Sequence, residues 1–242
     1  MSFYIGLSFL SNNNESTRAP KKGVRQELLS AEARRILSCL ENRPIGENDF
    51  ARDENGRPYL PGTSGDFNIS HSGAAAAVSL VSGAERRTGC DIQIVRPRPN
   101  MGKIADRFFT LPEREYIFAD GNTQSAESRF FEIWTLKECF LKLRGLSVFD
   151  MASVPSFISR DGQGQFVFDA AVSSPLLFYL YELTGSGERY FLAAAIEGID
   201  PEVEPYGSAP VIRWFSQSFL PCRSIAEIKA ALSPAKTVNP NM

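Results

Sequence analysis

The chain lacks several features that mark common protein classes. No apolar run reaches the roughly 18 residues of a membrane-spanning helix. The four cysteines are widely spaced without a CxxC pair, which argues against a structural zinc site and a dense disulfide framework. Lys and Arg number 26 against 28 Asp and Glu, so a broad nucleic-acid surface is not expected. We therefore expect a cytoplasmic protein with no membrane or nucleic-acid partner.

Common nucleotide and hydrolase signatures are also missing. The sequence contains no P-loop, no G-x-G-x-x-G turn of the Rossmann type and no GxSxG elbow. Any phosphate ligand must therefore be held by a different arrangement of residues.

The residues that are present predict a globular protein with strands and helices. The chain has 242 residues, of which 43% are hydrophobic and 18 are phenylalanine. Apolar periodicity predicts a first strand at the N terminus and a helix that ends near Leu40. Short strands follow in DFNIS, AAAAVSLV and TGCDIQIV, which we interpret as an antiparallel meander, although AAAAVSLV alone also suits a helix.

Helices dominate the middle of the chain. Thr110, Pro112 and Glu113 resemble a capping box that starts a helix through Phe118. A long helix over 126–144 is predicted to end at the glycine that follows it. Strands are again predicted in SFISR, QFVFDA, LLFYLYEL and RYFLAAAIE, and APVIRWFSQSF is a candidate for one more.

The best candidate for an internal boundary is the Pro-Arg-Pro segment within residues 96–100. It separates a predicted N-terminal half at 1–96 from a C-terminal half at 97–220, with a tail at 221–242. The order of elements predicts an α+β fold in which two α+β halves lie side by side.

The segment WTLKECFLK places two charges among aromatic residues. On a helix, Trp134, Glu138 and Lys142 share a face apart from the apolar core stripe of Ile133, Leu136, Phe140 and Leu143. An ordinary Glu–Lys pair at this spacing contributes only about 0.2–0.5 kcal/mol. A drier setting beside aromatic rings instead favours a carboxylate that acts as a ligand or base.

Two further segments carry candidate ligands. In TGCDIQIV, a period of two places Asp91 and Gln93 on one face, where their oxygens and a helical carboxylate would suit Mg²⁺. A solvent-facing pair on an edge strand explains that segment equally well. In DFNISHSG, Ser70 and His71, the only histidine, follow a short strand at a turn that could contact a phosphate, or they have a structural role.

The motifs GRPYLP, FNISHS, GCDIQ and WTLKECFLK, taken in order, resemble those of the 4′-phosphopantetheinyl transferases of the surfactin-synthetase-activating type. The resemblance covers residues 56 to about 146 and includes RFFTLPEREYIF at 107–118. It implies Mg²⁺-dependent transfer of the phosphopantetheine arm of coenzyme A to a serine of an apo acyl or peptidyl carrier protein. It also implies a monomeric pseudo-dimer of two similar α+β halves, each with an antiparallel sheet and packed helices, and coenzyme A in the cleft between them.

By position, the resemblance implies three metal ligands, Asp91, Gln93 and Glu138. Glu138 would also be the base for the carrier serine, and Lys142 would contact the pyrophosphate and offset charge on the leaving phosphate. Gln93 is a departure, because many members have Glu there and a neutral amide binds Mg²⁺ less strongly.

The remaining implied contacts are with coenzyme A. Ser70 and His71 would hold its 3′-phosphate end, with Arg57 and, more weakly, Arg25 as further phosphate contacts. Two alternatives stay open: a non-catalytic coenzyme A or carrier-protein binding module of the same fold, and a metal-dependent phosphohydrolase. The segment 96–118 is the predicted docking surface for an acidic carrier, through Arg96, Arg98, Lys103 and Arg107.

Overall fold

Two four-stranded sheets form the centre of the fold. The computed structural model describes residues 3–10, 22–159, 166–169, 176–185, 187–198, 210–215 and 233–238. The helices are α1 (Lys22–Glu41), α2 (Met101–Phe108), α3 (Leu111–Phe118) and α4 (Thr123–Arg144), with short 3-10 helices at Glu47–Asp49 and Val148–Ser153. The strands are β1 (Phe3–Phe9), β2 (Ala51–Arg52), β3 (Pro58–Tyr59), β4 (Gly65–Ser72), β5 (Ala75–Ser82), β6 (Arg87–Ile94), β7 (Ser156–Ser159), β8 (Phe166–Asp169), β9 (Leu176–Gly185), β10 (Glu188–Glu197), β11 (Val211–Trp214) and β12 (Ser233–Val238).

The sheets are mainly antiparallel. The first has the strand order β11-β1-β5-β4 and the second has the order β12-β9-β10-β6. Strands β1 and β11 run parallel, whereas β10 pairs antiparallel with both β9 and β6. Antiparallel sheets combined with packed helices confirm the predicted α+β class.

The predicted meander is wrong at its third strand. Strands β4 and β5 form the expected antiparallel hairpin, but β6 pairs with β10 in the other sheet. The reason is that β5 already has β1 on one side and β4 on the other, so neither of its edges is free. The segment AAAAVSLV is a strand and not a helix.

The two sheets face each other across a shared core. Ile5 and Leu7 of β1 pack with Ile92 of β6 and Leu192 of β10 in a cluster between the sheets. A second cluster lies between α1 and the outer face of the first sheet, and a third lies between α4 and the outer face of the second. The layers therefore follow the order helix, sheet, sheet, helix.

Strands β4 and β6 lie side by side at the junction of the sheets, joined by three side chains of FNISHS. We call these three contacts the β4–β6 seam. Backbone N–H groups of β6 donate to alternate side chains of β4: Cys90 N to Asn68 Oδ1 at 3.1 Å, Ile92 N to Ser70 Oγ at 3.2 Å, and Ile94 N to Ser72 Oγ at 3.1 Å. Side chains thus satisfy β6 donors that face the other sheet.

Helix α4 confirms the long helix predicted from the sequence and extends it by three residues at its start. Asn122 begins it by accepting hydrogen bonds from Gln124 N and Ser125 N, and Gly145 ends it with φ 69°. The predicted core stripe is buried, but Trp134 is also only 7% exposed. The helix is therefore buried on most sides, not on one stripe alone.

The capping box of α3 is also confirmed, with Thr110 N donating to Glu113 Oε2 at 2.8 Å.

Three strands pair across the predicted boundaries. Strand β6 of residues 1–96 joins β10, β11 of residues 97–220 joins β1, and β12 of the predicted tail joins β9. The division into two similar halves stays a prediction.

Among the described helices, none has the length and apolar character needed to span a membrane.

Candidate active site

A glycine brings α4 unusually close to β6. A Cβ atom at Gly89 would lie 2.5 Å from the carbonyl oxygen of Cys139 and 2.9 Å from the backbone nitrogen of Leu143. Because side chains alternate along a strand, Asp91 and Gln93 lie on the same face of β6 as Gly89. The glycine of GCDIQ thus lets the polar side chains of β6 reach those of α4.

Asp91 and Lys142 form an ion pair at this contact. Lys142 Nζ lies 2.6 Å from Asp91 Oδ1, and the Asp91 side chain is only 1% exposed. Ser70 Oγ donates to the same Asp91 oxygen at 2.7 Å and accepts from Lys142 Nζ at 2.8 Å. A strand of each sheet and helix α4 therefore meet at one buried carboxylate.

Gln93 bridges the two carboxylates. Its Nε2 donates to Asp91 Oδ2 and to Glu138 Oε2, both at 3.0 Å. The three residues predicted as metal ligands are therefore mutual neighbours, although they come from two different elements.

The site contains two carboxylates but a single ammonium group, and its pKa values reflect this. Burial, and then the nearby Asp91 carboxylate, raises the pKa of Glu138 to about 8. Burial alone would lower the pKa of Lys142, but Asp91 and Glu138 raise it above its usual value. Lys142 is thus positively charged at neutral pH, whereas Glu138 is mostly protonated.

The site opens into a cavity of about 530 Å³. Six residues predicted from the sequence line it together: Ser70, His71, Asp91, Gln93, Glu138 and Lys142. His71 is half-buried, and burial followed by the charge of Lys142 lowers its pKa, which leaves a neutral imidazole at pH 7. It can therefore act as a hydrogen-bond donor to an anion, although it carries little charge of its own at pH 7.

Arg57, for which the resemblance implies a phosphate contact, is hydrogen-bonded to other parts of the protein. It is 8% exposed and does not line the cavity. Its guanidinium donates to five protein acceptors, which are the backbone carbonyls of Lys142, Leu143, Phe67 and Thr88 and the Asp66 carboxylate. Arg57 therefore fastens the end of α4 to the strands, and a contact with phosphate would require some of these bonds to open. Its role in coenzyme binding stays a prediction.

Arg25 also lies away from the cavity lining. It is partly exposed near the start of α1, and its role as a phosphate contact likewise stays a prediction.

Two cationic residues of the cavity were missed by the sequence reasoning. Arg34 of α1 and Arg52 of β2 both line it, together with Ser30, Phe50 and Ile69. Arg34 has a long ion pair of 3.9 Å with Glu47, and Arg52 donates to the carbonyl of Gly56. Ser30 and Arg34 are one helical turn apart, which was the available signal that α1 presents a polar face here.

The donor atoms fit a hard cation such as Mg²⁺. Asp91 and Glu138 offer carboxylate oxygens, and the Gln93 amide offers a carbonyl oxygen once it rotates. In the described part of the chain, no group of three or more His, Cys, Asp and Glu side chains is placed to hold a metal. The donor set therefore suits an ion that completes its shell with water and phosphate oxygens.

Comparison with known proteins gives one consistent family. Residues 87–195 match the model of the 4′-phosphopantetheinyl transferase superfamily. The chain is 36% identical over 125 residues to the 4′-phosphopantetheinyl transferase AcpT of Salmonella typhi, covering 51% of this chain and 62% of that protein. It is 31% identical over 134 residues to the transferase psf-1 of Bacillus pumilus, covering 54% of each. It is 26% identical over 214 residues to the transferase pptA of Paxillus involutus, covering 80% of each.

The matches confirm the family resemblance that the four motifs predicted. The matched segment of 87–195 contains β6 and α4, which carry the two carboxylates and the ammonium group. The chain spans a little over half the length of the two bacterial relatives, at 62% and 54%.

Proposed function

We propose that the protein transfers the 4′-phosphopantetheine group of coenzyme A to a serine of an apo acyl or peptidyl carrier protein, with Mg²⁺ as cofactor. One observation carries the proposal. Asp91, Glu138 and Lys142 converge at one cavity, and all three residues belong to the segment that matches the transferase superfamily. We further propose that the protein acts as a monomer in the cytoplasm.

Asp91, Glu138 and Gln93 are the proposed ligands of the metal. When bound, Mg²⁺ would neutralise charge on the coenzyme pyrophosphate. It would also stabilise the ionised form of Glu138, because a nearby cation lowers the pKa of a carboxyl group. The protein side chains are then responsible for orientation and proton transfer.

Glu138 is the proposed general base. It accepts the proton of the carrier serine, whose oxygen forms a bond to the β-phosphorus of coenzyme A. The bond from that phosphorus to the bridging oxygen breaks, and adenosine 3′,5′-bisphosphate leaves with the electron pair. Lys142 stabilises the negative charge on the phosphate oxygens during this step.

The nucleotide end of coenzyme A is proposed to lie along α1 and the β2–β3 hairpin. Arg34 and Arg52 supply positive charge to the cavity, and His71 also lines it. Arginine side chains bind phosphate through several N–H groups at once, which suits a terminal 3′-phosphate.

The proposed carrier surface is the segment 96–118. Arg98 lies over the ring of Trp134 with its Cζ 4.9 Å from the ring centre, and Arg107 lies over Phe108 at the same distance. Trp134 and Phe108 contact each other edge to face, with centres 6.3 Å apart. These stacking contacts hold two cations in fixed positions beside the helix that carries Glu138.

A mass-shift assay tests the proposed reaction. Incubation with coenzyme A, Mg²⁺ and a panel of apo carrier proteins should add the mass of one phosphopantetheine group to a carrier serine. The Glu138→Ala variant should show no addition under the same conditions. Absence of addition with every carrier would overturn the proposal, and calorimetric binding of coenzyme A in that case would favour the non-catalytic module.

A further inference from the structure

We propose that Ser70 is a positioning residue that sets the geometry of Asp91 and Lys142, and that it is not a contact for coenzyme phosphate. The inference rests on the proposed function and adds a residue whose effect on the reaction is indirect. It also replaces the role that the family resemblance implies for this serine.

The hydrogen-bonding capacity of the Ser70 hydroxyl is already in use. A hydroxyl group has one donor and two acceptor positions. Ser70 Oγ donates to Asp91 Oδ1 at 2.7 Å, and it accepts from Lys142 Nζ at 2.8 Å and from Ile92 N at 3.2 Å. A phosphate oxygen would have to displace Asp91 from the only proton of this hydroxyl.

Burial supports the same conclusion. Ser70 is 4% exposed, although it borders the cavity. His71 is the next residue along β4 and projects to the opposite face of the strand, where it is more accessible. The phosphate contact predicted for this pair of residues is therefore better suited to His71 than to Ser70.

The backbone of β6 fixes the position of the Ser70 hydroxyl. The bond from Ile92 N belongs to the β4–β6 seam, so it ties Ser70 to a strand whose own backbone is held by β10. Lys142 has a long side chain with many rotamers, and a fixed acceptor near its ammonium group restricts them. Ser70 thereby holds the Asp91 carboxylate and the Lys142 ammonium group at fixed positions relative to β6.

Ser72 provides a matched control. It is the same residue type on the same face of the same strand, and its Oγ accepts from Ile94 N at 3.1 Å in the same seam. The structure shows no hydrogen bond from Ser72 to Asp91 or Lys142, and Ser72 does not line the cavity. A change at Ser72 therefore removes a seam contact without removing the contact to the ion pair.

The first experiment separates positioning from phosphate binding. Ser70→Ala should lower kcat about 10–100-fold, the usual range for loss of a partner that orients a metal ligand. The KM and calorimetric Kd for coenzyme A should change less than about 3-fold, a change of under 1 kcal/mol. Ser70→Thr should restore most of kcat because it keeps the hydroxyl, and Ser72→Ala should resemble the wild type. A large rise in Kd with kcat unchanged, or equal effects at both serines, would overturn the proposal.

The second experiment does not depend on turnover. The rate of reductive methylation of Lys142 in the metal-free protein, followed by peptide mass spectrometry, should be several-fold higher in Ser70→Ala than in the wild type or Ser72→Ala. An unchanged rate would contradict the positioning role even if no carrier protein is modified by the wild type, whereas failure of transfer alone would count only against the proposed function. Ser70→Cys, which is nearly the same size but a weak hydrogen-bonding group, replaces Ser70→Ala if the alanine variant does not fold.

Discussion

The central chemical feature at the residue scale is an imbalance of charge. Asp91 and Glu138 bring two carboxylates to a site with one ammonium group, that of Lys142, and the Gln93 amide bridges the carboxylates. Without a metal, the site reduces the repulsion by keeping a proton on Glu138, whose pKa rises to about 8. The same imbalance makes the site attractive to a divalent cation.

The first prediction concerns the stability of the metal-free protein as a function of pH. The pKa of Glu138 is about 8 in the folded protein against an ordinary value of 4.5, so the folded state binds more protons than the unfolded state between these values. The contribution of Glu138 to the free energy of unfolding should therefore fall as pH rises from about 5 to 8, by at most about 1.4 kcal/mol per pH unit.

Urea denaturation of the wild type and of Glu138→Gln, with a metal chelator present, measures this contribution. As pH increases, the free energy of unfolding of the wild type should fall relative to that of Glu138→Gln. Parallel curves across this range would show that Glu138 does not titrate as described.

The second prediction concerns Gln93. Replacement by Glu removes the amide that donates to both carboxylates and adds a third negative charge. Metal-free Gln93→Glu should be about 1–3 kcal/mol less stable than the wild type, and Mg²⁺ should raise its Tm more than that of the wild type.

Scanning calorimetry with and without Mg²⁺ tests this prediction. Gln124→Glu is the control, because Gln124 is exposed in the first turn of α4, away from the cavity. An equal Mg²⁺-induced shift in Gln93→Glu and the wild type would argue against position 93 as part of the metal site.

At the scale of elements, the site depends on how closely α4 approaches β6. The third prediction is that Gly89→Ala destabilises the protein by about 1–3 kcal/mol, because the added methyl group would lie 2.5 Å from a helix carbonyl. Displacement of α4 should also separate Lys142 from Asp91 and reduce kcat.

Chemical denaturation and single-turnover kinetics measure the two effects. Gly102→Ala in α2 is the control, because a Cβ atom there meets nothing within 4 Å. It should be neutral or slightly stabilising, as expected for alanine in a helix. A Gly89→Ala protein as stable and active as this control would contradict the close approach.

The elements themselves were largely predictable from the sequence, whereas their pairing was not. Local signals defined α3 and the end of α4, namely a capping box at Thr110 and a left-handed glycine at Gly145. A period of two predicted which residues of β6 share a face, but it does not indicate which edge a strand joins. That choice depended on the edges of β5 already being occupied by β1 and β4.

The candidate site shows the same limit. Asp91 was found from GCDIQ, and Glu138 and Lys142 were found from WTLKECFLK. Each motif places its own residues at a fixed spacing on a single strand or helix. Arg34 and Arg52 were missed because their proximity to the site arises only when α1 and the β2–β3 hairpin pack against β4. The family resemblance implied a phosphate contact for Arg57, and the sequence did not show that its guanidinium is hydrogen-bonded to backbone carbonyls and to Asp66.

At the scale of the whole molecule, the proposed carrier surface lies beside α4, the helix that carries Glu138. The fourth prediction is that replacing Arg96, Arg98, Lys103 and Arg107 with Ala raises the KM for the carrier about 10-fold or more, with little change in the KM for coenzyme A. The reason is that acidic carriers are attracted by cations held in fixed positions, and rim charges mainly affect association.

Steady-state kinetics with each substrate varied in turn tests this surface. A variant with Arg43 and Arg87 replaced by Ala is the control, because both residues are exposed and lie outside the segment 96–118. An unchanged carrier KM in the variant with four substitutions would remove this surface from consideration.

The central claim is group transfer to a protein, and the ratio of the two products tests it most directly. Holo-carrier, measured by intact mass, and adenosine 3′,5′-bisphosphate, measured by chromatography, should appear in equal amounts and only when carrier, coenzyme A and Mg²⁺ are all present. Release of phosphate or nucleotide without a carrier, or with no added mass on the carrier, would contradict the account and identify a phosphohydrolase instead.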